Sequence, residues 1–328
     1  MLHPTIQWFR DHRDEYPYSL NMLYKALDIS KQAVHQHKVS VDRKMEELGY
    51  VSMIVEQVRA DHPTMGVRDI YYMMRPEGIG RDRFERYCHE LGFSSVRAVN
   101  PCRTTDSSGV TRFPNLLEGL AITKANQVWQ SDITYFEVNG KFYYITFIVD
   151  AFSRMIVGHS VSRRLFTEDT VIPALEMAVR FRKGGDLSGL VFHSDGGGQY
   201  YSKKFLELTG TLQFKNSMCF YSWENGKAER VNGVIKNNYL EHKHINSYEK
   251  LVKEVDRSVT LYNNEKPHIK LHRMSPAQFE KKYTFAESDF MAPVAMKSDS
   301  DTKKGWNEMN EEFNKYAMTN KRQPVNLI

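Results

Sequence analysis

Cysteine is scarce in this chain. Three occur in 328 residues, Cys88, Cys102 and Cys219. None belongs to a CxxC pair, so neither a disulfide framework nor a cysteine zinc site is indicated. They read as buried or incidental thiols of a reducing compartment. No stretch at the start has the make-up of a signal peptide, and no apolar run reaches membrane length. No membrane partner is expected, and a cytoplasmic location is. No long heptad repeat appears. The glycine run 196–198 lacks the Lys-Ser/Thr that a phosphate-cradling P-loop requires.

A strong charge of one sign is also missing. There are 45 basic residues against 40 acidic ones, a net +5. The location of this mild excess tells more than its size. Residues 127–285 hold 22 Lys and Arg against 17 Asp and Glu, whereas residues 1–112 are nearly balanced at 16 against 15. Extra positive charge in a segment that also carries grouped acids suits a polyanionic substrate that needs metal bridging. The apolar share of 41% is enough for real cores, and the length suggests two or three domains.

Residues 1–50 read as helical, with a helix-turn-helix at 20–27, 28–30 and 31–38. Ser30 is suited to cap the second helix. Lys31, Gln32, His35, Gln36 and Lys38 would face a DNA groove or its phosphates; the plainer reading is a solvated surface helix. His35 and His37 do not share a helix face, so they make a poor metal pair. Residues 51–112 read as a second helical unit, with helices at 67–74 and 81–91 and a glycine turn between. Arg81, Arg83 and Arg86 on the later helix either contact DNA or pair with Asp82, Glu85 and Glu90. Residues 113–126 read as a linker.

From residue 127 the pattern turns to strands. Strands are expected at 128–138 and 141–149 around an Asn139-Gly140 hairpin turn, then at 155–161. A helix over 168–182, capped by Thr167, a strand at 190–193, a helix near 203–208 and a strand near 214–218 follow. The order is α/β. A further helix begins near Asn225, expected as its cap. On that helix Ala228, Val231 and Ile235 form a packing stripe, and Glu229, Asn232 and Lys236 the adjoining one. Lys227 and Arg230 add positive charge at its start. Helical extension runs to 285, and a polar tail covers 286–328.

Three acids stand out. Asp132 lies in WQSDITY, Asp195 at a strand end in HSDGGGQY, and Glu229 in the helix start WENGKAER. Two strand carboxylates and one helix carboxylate can converge on hard divalent cations, which prefer oxygen ligands. His193, two residues before Asp195, faces the same side of its strand; it either touches substrate or supports the site by a hydrogen bond. Asp150, at the end of the second strand, reads mainly as a partner of Arg154 or a turn holder. Glu224 reads as a helix-start acid favoured by the dipole.

These three blocks, in this order, resemble the catalytic core of bacterial insertion-sequence transposases of the second-reading-frame (OrfB) type. Those are DDE recombinases of the retroviral integrase superfamily. HPTMGVR at 62–68, YNNEKPH at 262–268 and SPAQFE at 275–280 resemble further blocks of the family, with Lys266 where Arg is usual. SPAQFE reads best as structural packing. The interval from Asp195 to Glu229 is slightly shorter than usual, and the shortening falls at 218–222.

The resemblance implies a ribonuclease H-like core at 127–285 behind a helical, DNA-binding amino-terminal region. It implies that the strands of Asp132 and Asp195 are neighbours. It implies Asp132, Asp195 and Glu229 as catalytic, metal-holding residues for two Mg²⁺ ions, with Mn²⁺ as a substitute. Such ions, about 3.5 to 4 Å apart, activate the nucleophile and stabilise the leaving oxygen. The implied activity is strand cleavage and strand transfer on double-stranded DNA, element ends and target, in the nucleoid. Lys31, Gln32, His35, Arg81, Arg83, Lys227, Arg230 and Lys236 are the expected DNA contacts. A homo-oligomer on DNA and an upstream-frame partner or fusion are expected partners. Rival readings are a metal nuclease that only hydrolyses, and a non-catalytic DNA-binding regulator or decayed remnant.

Overall fold

The structure is a computed structural model that describes residues 4–15, 17–93, 113–182, 185–219 and 222–284. It divides into two compact units, 1–98 and 99–328. Cys102 and the polar tail 286–328 lie outside the described residues.

The first unit is helical: α1 Pro4–Asp11, α2 Leu20–Ala26, α3 Lys31–Asp61, α4 Val67–Met74 and α5 Arg81–Glu90. The expected helix-turn-helix forms here as α2, a turn and the start of α3. Asp28 closes α2 in the left-handed region (φ 53°), and the Ile29 N–H reaches back to the Tyr24 carbonyl, a Schellman-type ending. Ser30 caps α3, its Oγ accepting the Ala33 N–H at 3.0 Å. Tyr24 and Val34 pack with Ile6 in a small core.

The helix from Lys31 does not stop at 38, and the expected division at 50/51 falls inside it. α3 is 31 residues long, about 46 Å at 1.5 Å per residue. No proline interrupts this stretch, and its later turns have a core to join. Val51, Ile54, Val55 and Val58 bury against Ile70 of α4, against Phe84, Tyr87 and Cys88 of α5, and against Met65 and Ile79. Helices α4 and α5 lie where expected, and Gly78 takes a positive φ (73°) in the turn between them.

The second unit is built on one five-stranded sheet: β1 Val128–Val138, β2 Lys141–Asp150, β3 Ile156–Ser162, β4 Val191–Ser194 and β5 Lys215–Met218. The strand order is β3-β2-β1-β4-β5. β1, β2 and β3 are antiparallel neighbours, and β4 and β5 add on in parallel. This is the ribonuclease H-like arrangement. Asn139 and Gly140 both take positive φ (50° and 74°), as a two-residue hairpin turn with matching twist requires.

Helices cover both faces. α6 Val171–Phe181 and α7 Lys203–Thr211 enclose one core with Trp129, Ile148, Val157 and Phe192. α8 Gly226–Asn238 and α9 Tyr248–Asn264 enclose the other with Ile145, Phe147 and Val149. α10 Pro276–Thr284 follows, its Phe279 buried with Phe152. Helix α6 starts at Val171, later than the expected 168. Thr167 is not its cap; its Oγ1 donates to the Gln199 carbonyl at 3.2 Å.

Candidate active site

Asp132 and Asp195 meet through strand register. β1 and β4 run parallel with Ser131 opposite Ser194. The residue after each serine is an aspartate, so the two acids stand at the same level on adjacent strands, Asp132 within β1 and Asp195 just past the end of β4. A central parallel pair is buried on both faces, so the acids sit where the chain emerges from apolar surroundings.

Helix α8 is fastened beside them. The Asn225 side chain donates to the Ser131 carbonyl at 2.9 Å, and Gln130 donates to the Glu224 carbonyl at 3.3 Å. Asn225 thus ties the helix start to β1; the helix has no side-chain cap bond there. Ala228, Val231, Val234 and Ile235 bury toward the sheet. Asn232 follows Glu229 by three residues on the adjoining stripe and donates to Asp132 Oδ2 at 2.7 Å. Glu229 itself is exposed.

The charge of Asp195 bears on Asp132. Burial, then the charge of Asp195, and more weakly that of Glu229, push Asp132 up to about 7, against the bonds from the Ile133 N–H and Asn232. Burial also raises Asp195, opposed by the Gly197 N–H, which reaches Asp195 Oδ1 at 3.1 Å. Among the described residues, no three His, Cys, Asp or Glu side chains stand together closely enough to hold a metal ion. At Asp132, Oδ1 accepts the Ile133 N–H at 2.9 Å and Oδ2 accepts from the Asn232 amide at 2.7 Å. The donor chemistry nevertheless fits a hard cation: the three groups are oxygen acids, and Asp132 and Asp195 are both raised chiefly by burial, with no nearby cation acting to lower either.

Below the acids lies a buried polar layer. His193 is fully buried, and burial holds it down at about 4, hence neutral. Its Nδ1 meets Ser217 Oγ at 2.9 Å. The same oxygen accepts the Leu116 N–H at 2.9 Å, so Ser217 links His193 to the segment that leads into the core. His193 thus supports the sheet end from within. Tyr200, buried, meets Ser131 Oγ at 3.0 Å. Sequence reasoning missed Tyr200, although its place in the HSDGGGQY block was the available signal. Cys219 is buried too, and its thiol is pushed up to about 12 by burial and then Asp195.

Asp150 belongs elsewhere. Its expected partner was Arg154; the actual one is Arg182, 3.2 Å from Oδ2. Asp150 also accepts the N–H groups of Asn126, Phe152 and Ser153, so it does hold a turn. Arg182 in turn donates twice to Glu280, both at 2.7 Å, and Ser153 donates to Glu280 at 2.5 Å. The SPAQFE block therefore closes a buried Asp150–Arg182–Glu280 clamp.

The expected DNA contacts are spread out. Lys31, Gln32 and His35 are exposed on α3. Arg81 pairs with Asp82 at 2.7 Å and Arg83 with Glu47 at 3.4 Å. On α8, Arg230 is exposed, and Lys236 Nζ lies 4.9 Å from the Tyr135 ring centre. Lys227 is half-buried, and burial followed by the charge of Arg154 lowers it to about 8.

Two family models described as Integrase core domain match residues 122–220 and 212–276. A transposase for insertion sequence element IS629 from Shigella sonnei is 31% identical over 229 residues, which is 68% of this chain and 76% of that protein. An insertion element IS600 uncharacterized 31 kDa protein, also from Shigella sonnei, is 29% identical over 255 residues, 76% of this chain and 92% of that protein. The HTLV-2 integrase catalytic core domain in complex with magnesium (trimeric form) aligns at 20% identity with a TM-score of 0.39, over 48% of this chain and 97% of that one. With an integrase core matched in sequence and a transposase relative aligned across most of its length, this chain belongs to the insertion-sequence transposases of the integrase superfamily.

Proposed function

We propose that the chain cuts and joins DNA strands at the ends of its insertion sequence, with Asp132, Asp195 and Glu229 holding two Mg²⁺ ions. The observation that carries this reading is the equal register of Asp132 and Asp195 on adjacent strands, with Glu229 near enough for its charge to reach Asp132. Bound ions would supply Lewis acidity at the attacking and leaving oxygens. The chain's own groups hold the acids in place. Asn232 fixes one oxygen of Asp132, the Gly197 N–H fixes one of Asp195, and the Asn225 bond keeps α8 against β1.

The reaction has two steps. Water attacks a phosphodiester at the element end, and the bond broken releases a 3′-hydroxyl. That hydroxyl attacks a phosphodiester of the target strand, forming one ester bond and releasing a target 3′-hydroxyl, with no covalent protein intermediate. Arg230 and Lys236 hold phosphates near the acids; Lys227, less readily charged, assists. Lys31, Gln32 and His35, with Arg81 and Arg83, contact the duplex. The chain acts as an oligomer on paired ends, with Mn²⁺ able to replace Mg²⁺ and an upstream-frame product or fusion contributing further DNA contacts.

The test uses labelled DNA carrying the gene's own flanking sequence, purified protein and Mg²⁺. Joined strands that disappear in Asp195→Asn and Glu229→Gln are the expected result. Nicks without joining would indicate a nuclease, and joined products that persist in Asp195→Asn would sink the site assignment.

A further inference from the structure

The loop between β3 and α6 carries four consecutive exposed residues, Arg163, Arg164, Leu165 and Phe166. Leu165 is 42% and Phe166 59% exposed. A single exposed apolar residue needs no explanation. These two, however, sit on a backbone held unusually firmly. The Phe166 carbonyl accepts from Thr170 Oγ1 at 2.7 Å and from the N–H groups of Asp169 and Thr170. Ser162 Oγ donates to the Arg164 carbonyl at 2.7 Å. The loop is also laced to the segment that follows Asp195. Gln199 Nε2 donates to the Leu165 carbonyl at 3.1 Å, and Thr167 Oγ1 donates back to the Gln199 carbonyl. Lys204, just after that segment, pairs with Glu168 at 2.9 Å.

The chemistry of the patch is specific. The Arg164 guanidinium lies 5.4 Å from the Phe166 ring centre and pairs with Asp169 at 2.9 Å, so it steadies the ring while carrying charge beside it. An exposed aromatic plane with an arginine at its side is the pairing on which unpaired nucleobases stack while the backbone runs along the charge. A double helix offers no base face except at an opened end.

We infer that Phe166, backed by Arg164 and Leu165, is a stacking platform for a nucleobase lifted out of the duplex at the DNA end. Its loop is bonded to Gln199, four residues beyond Asp195, and the inference rests on the reading of the carboxylate site as DNA-processing. The platform holds the opened strand so that the neighbouring phosphodiester faces Asp195. It favours ends whose terminal pairs are already broken.

The experiment measures binding of the full chain to two duplexes of the gene's flanking sequence, one fully paired and one with its terminal bases mismatched, without divalent metal so that no cutting intervenes. Wild type should prefer the mismatched end. Phe166→Ala should lose roughly tenfold or more of its affinity for that end, with less effect on the paired one, and Phe166→Trp should retain it. Because the ring is exposed, folding should be unaffected, and a thermal melt of each variant checks this. Equal binding of wild type and Phe166→Ala to the mismatched end overturns the inference. If that happens while Asp195→Asn still abolishes strand cleavage in Mg²⁺, only the platform is lost. If wild type binds neither duplex, the DNA-processing reading falls and takes the platform with it.

Discussion

The Asn232 amide donates to Asp132 Oδ2 across 2.7 Å. A residue of helix α8 thereby aims a carboxylate of strand β1, three residues beyond the acid that α8 itself contributes. Asn232→Ala should leave the fold intact, because the apolar contacts of Ala228, Val231, Val234 and Ile235 with the sheet stay in place. It should lower strand cleavage about 10- to 100-fold, the usual cost of removing a group that orients a metal-holding residue. Asn232→Asp should be worse, since it adds a further negative charge beside Asp132. Cleavage rates across a Mg²⁺ titration test this; equal rates for wild type and Asn232→Ala would refute the role.

The acids should make the metal-free protein sensitive to pH in a defined direction. Asp132 rises from 3.8 to about 7 in the fold, so the folded state keeps a proton that the unfolded chain loses. Its contribution is full below pH 3.8 and is lost as pH climbs through about 7. His193 runs the other way, from 6.5 down to about 4, and its contribution fades as pH falls between those values. Removing Asp132's charge with Asp132→Asn should raise the metal-free Tm at pH 7.5 and flatten the alkaline slope. Mg²⁺ should raise the Tm of wild type more than that of the variant. A wild-type Tm insensitive to Mg²⁺ would contradict the compensation of charge described above.

Arg182 is the centre of a buried clamp between Asp150 and Glu280. Arg182→Ala should destabilise by about 3–5 kcal/mol, because it strands a buried carboxylate. Glu280→Gln should cost less, since Arg182 keeps Asp150. Denaturant melts of both variants give the order; a milder effect of Arg182→Ala than of Glu280→Gln would refute it.

Gly158 lets β3 and α6 touch. A Cβ there would stand 2.1 Å from the Ala174 carbonyl oxygen and 2.9 Å from Ala178 Cβ. Gly158→Ala should therefore destabilise by about 1–3 kcal/mol or more through overpacking, whereas Gly233→Ala in α8, where an added Cβ meets nothing within 4 Å, should be neutral or stabilising. Thermal melts of the two variants should separate clearly.

Much of the architecture could be read along the chain. Asn139-Gly140 between two strand-like runs marks the first hairpin, and Ser30 marks the start of α3, because turns and caps are decided by a few neighbouring residues. The blocks around Asp132, Asp195 and Glu229 carried the family resemblance. What could not be read was decided at a distance. α3 continues to Asp61 because α4 and α5 offer its later turns a core. Thr167 leaves the helix start to bind Gln199, and Asn225 leaves its cap to bind Ser131. Asp150 takes Arg182, 32 positions along the chain, over the nearer Arg154. In each case a polar group or apolar face chose a partner brought near by the sheet, and a buried bond made in that way outweighs the local alternative. The residues proposed to carry the chemistry stand out in the sequence; the bonds that hold them, and the burial that shifts their charge, belong to the tertiary structure.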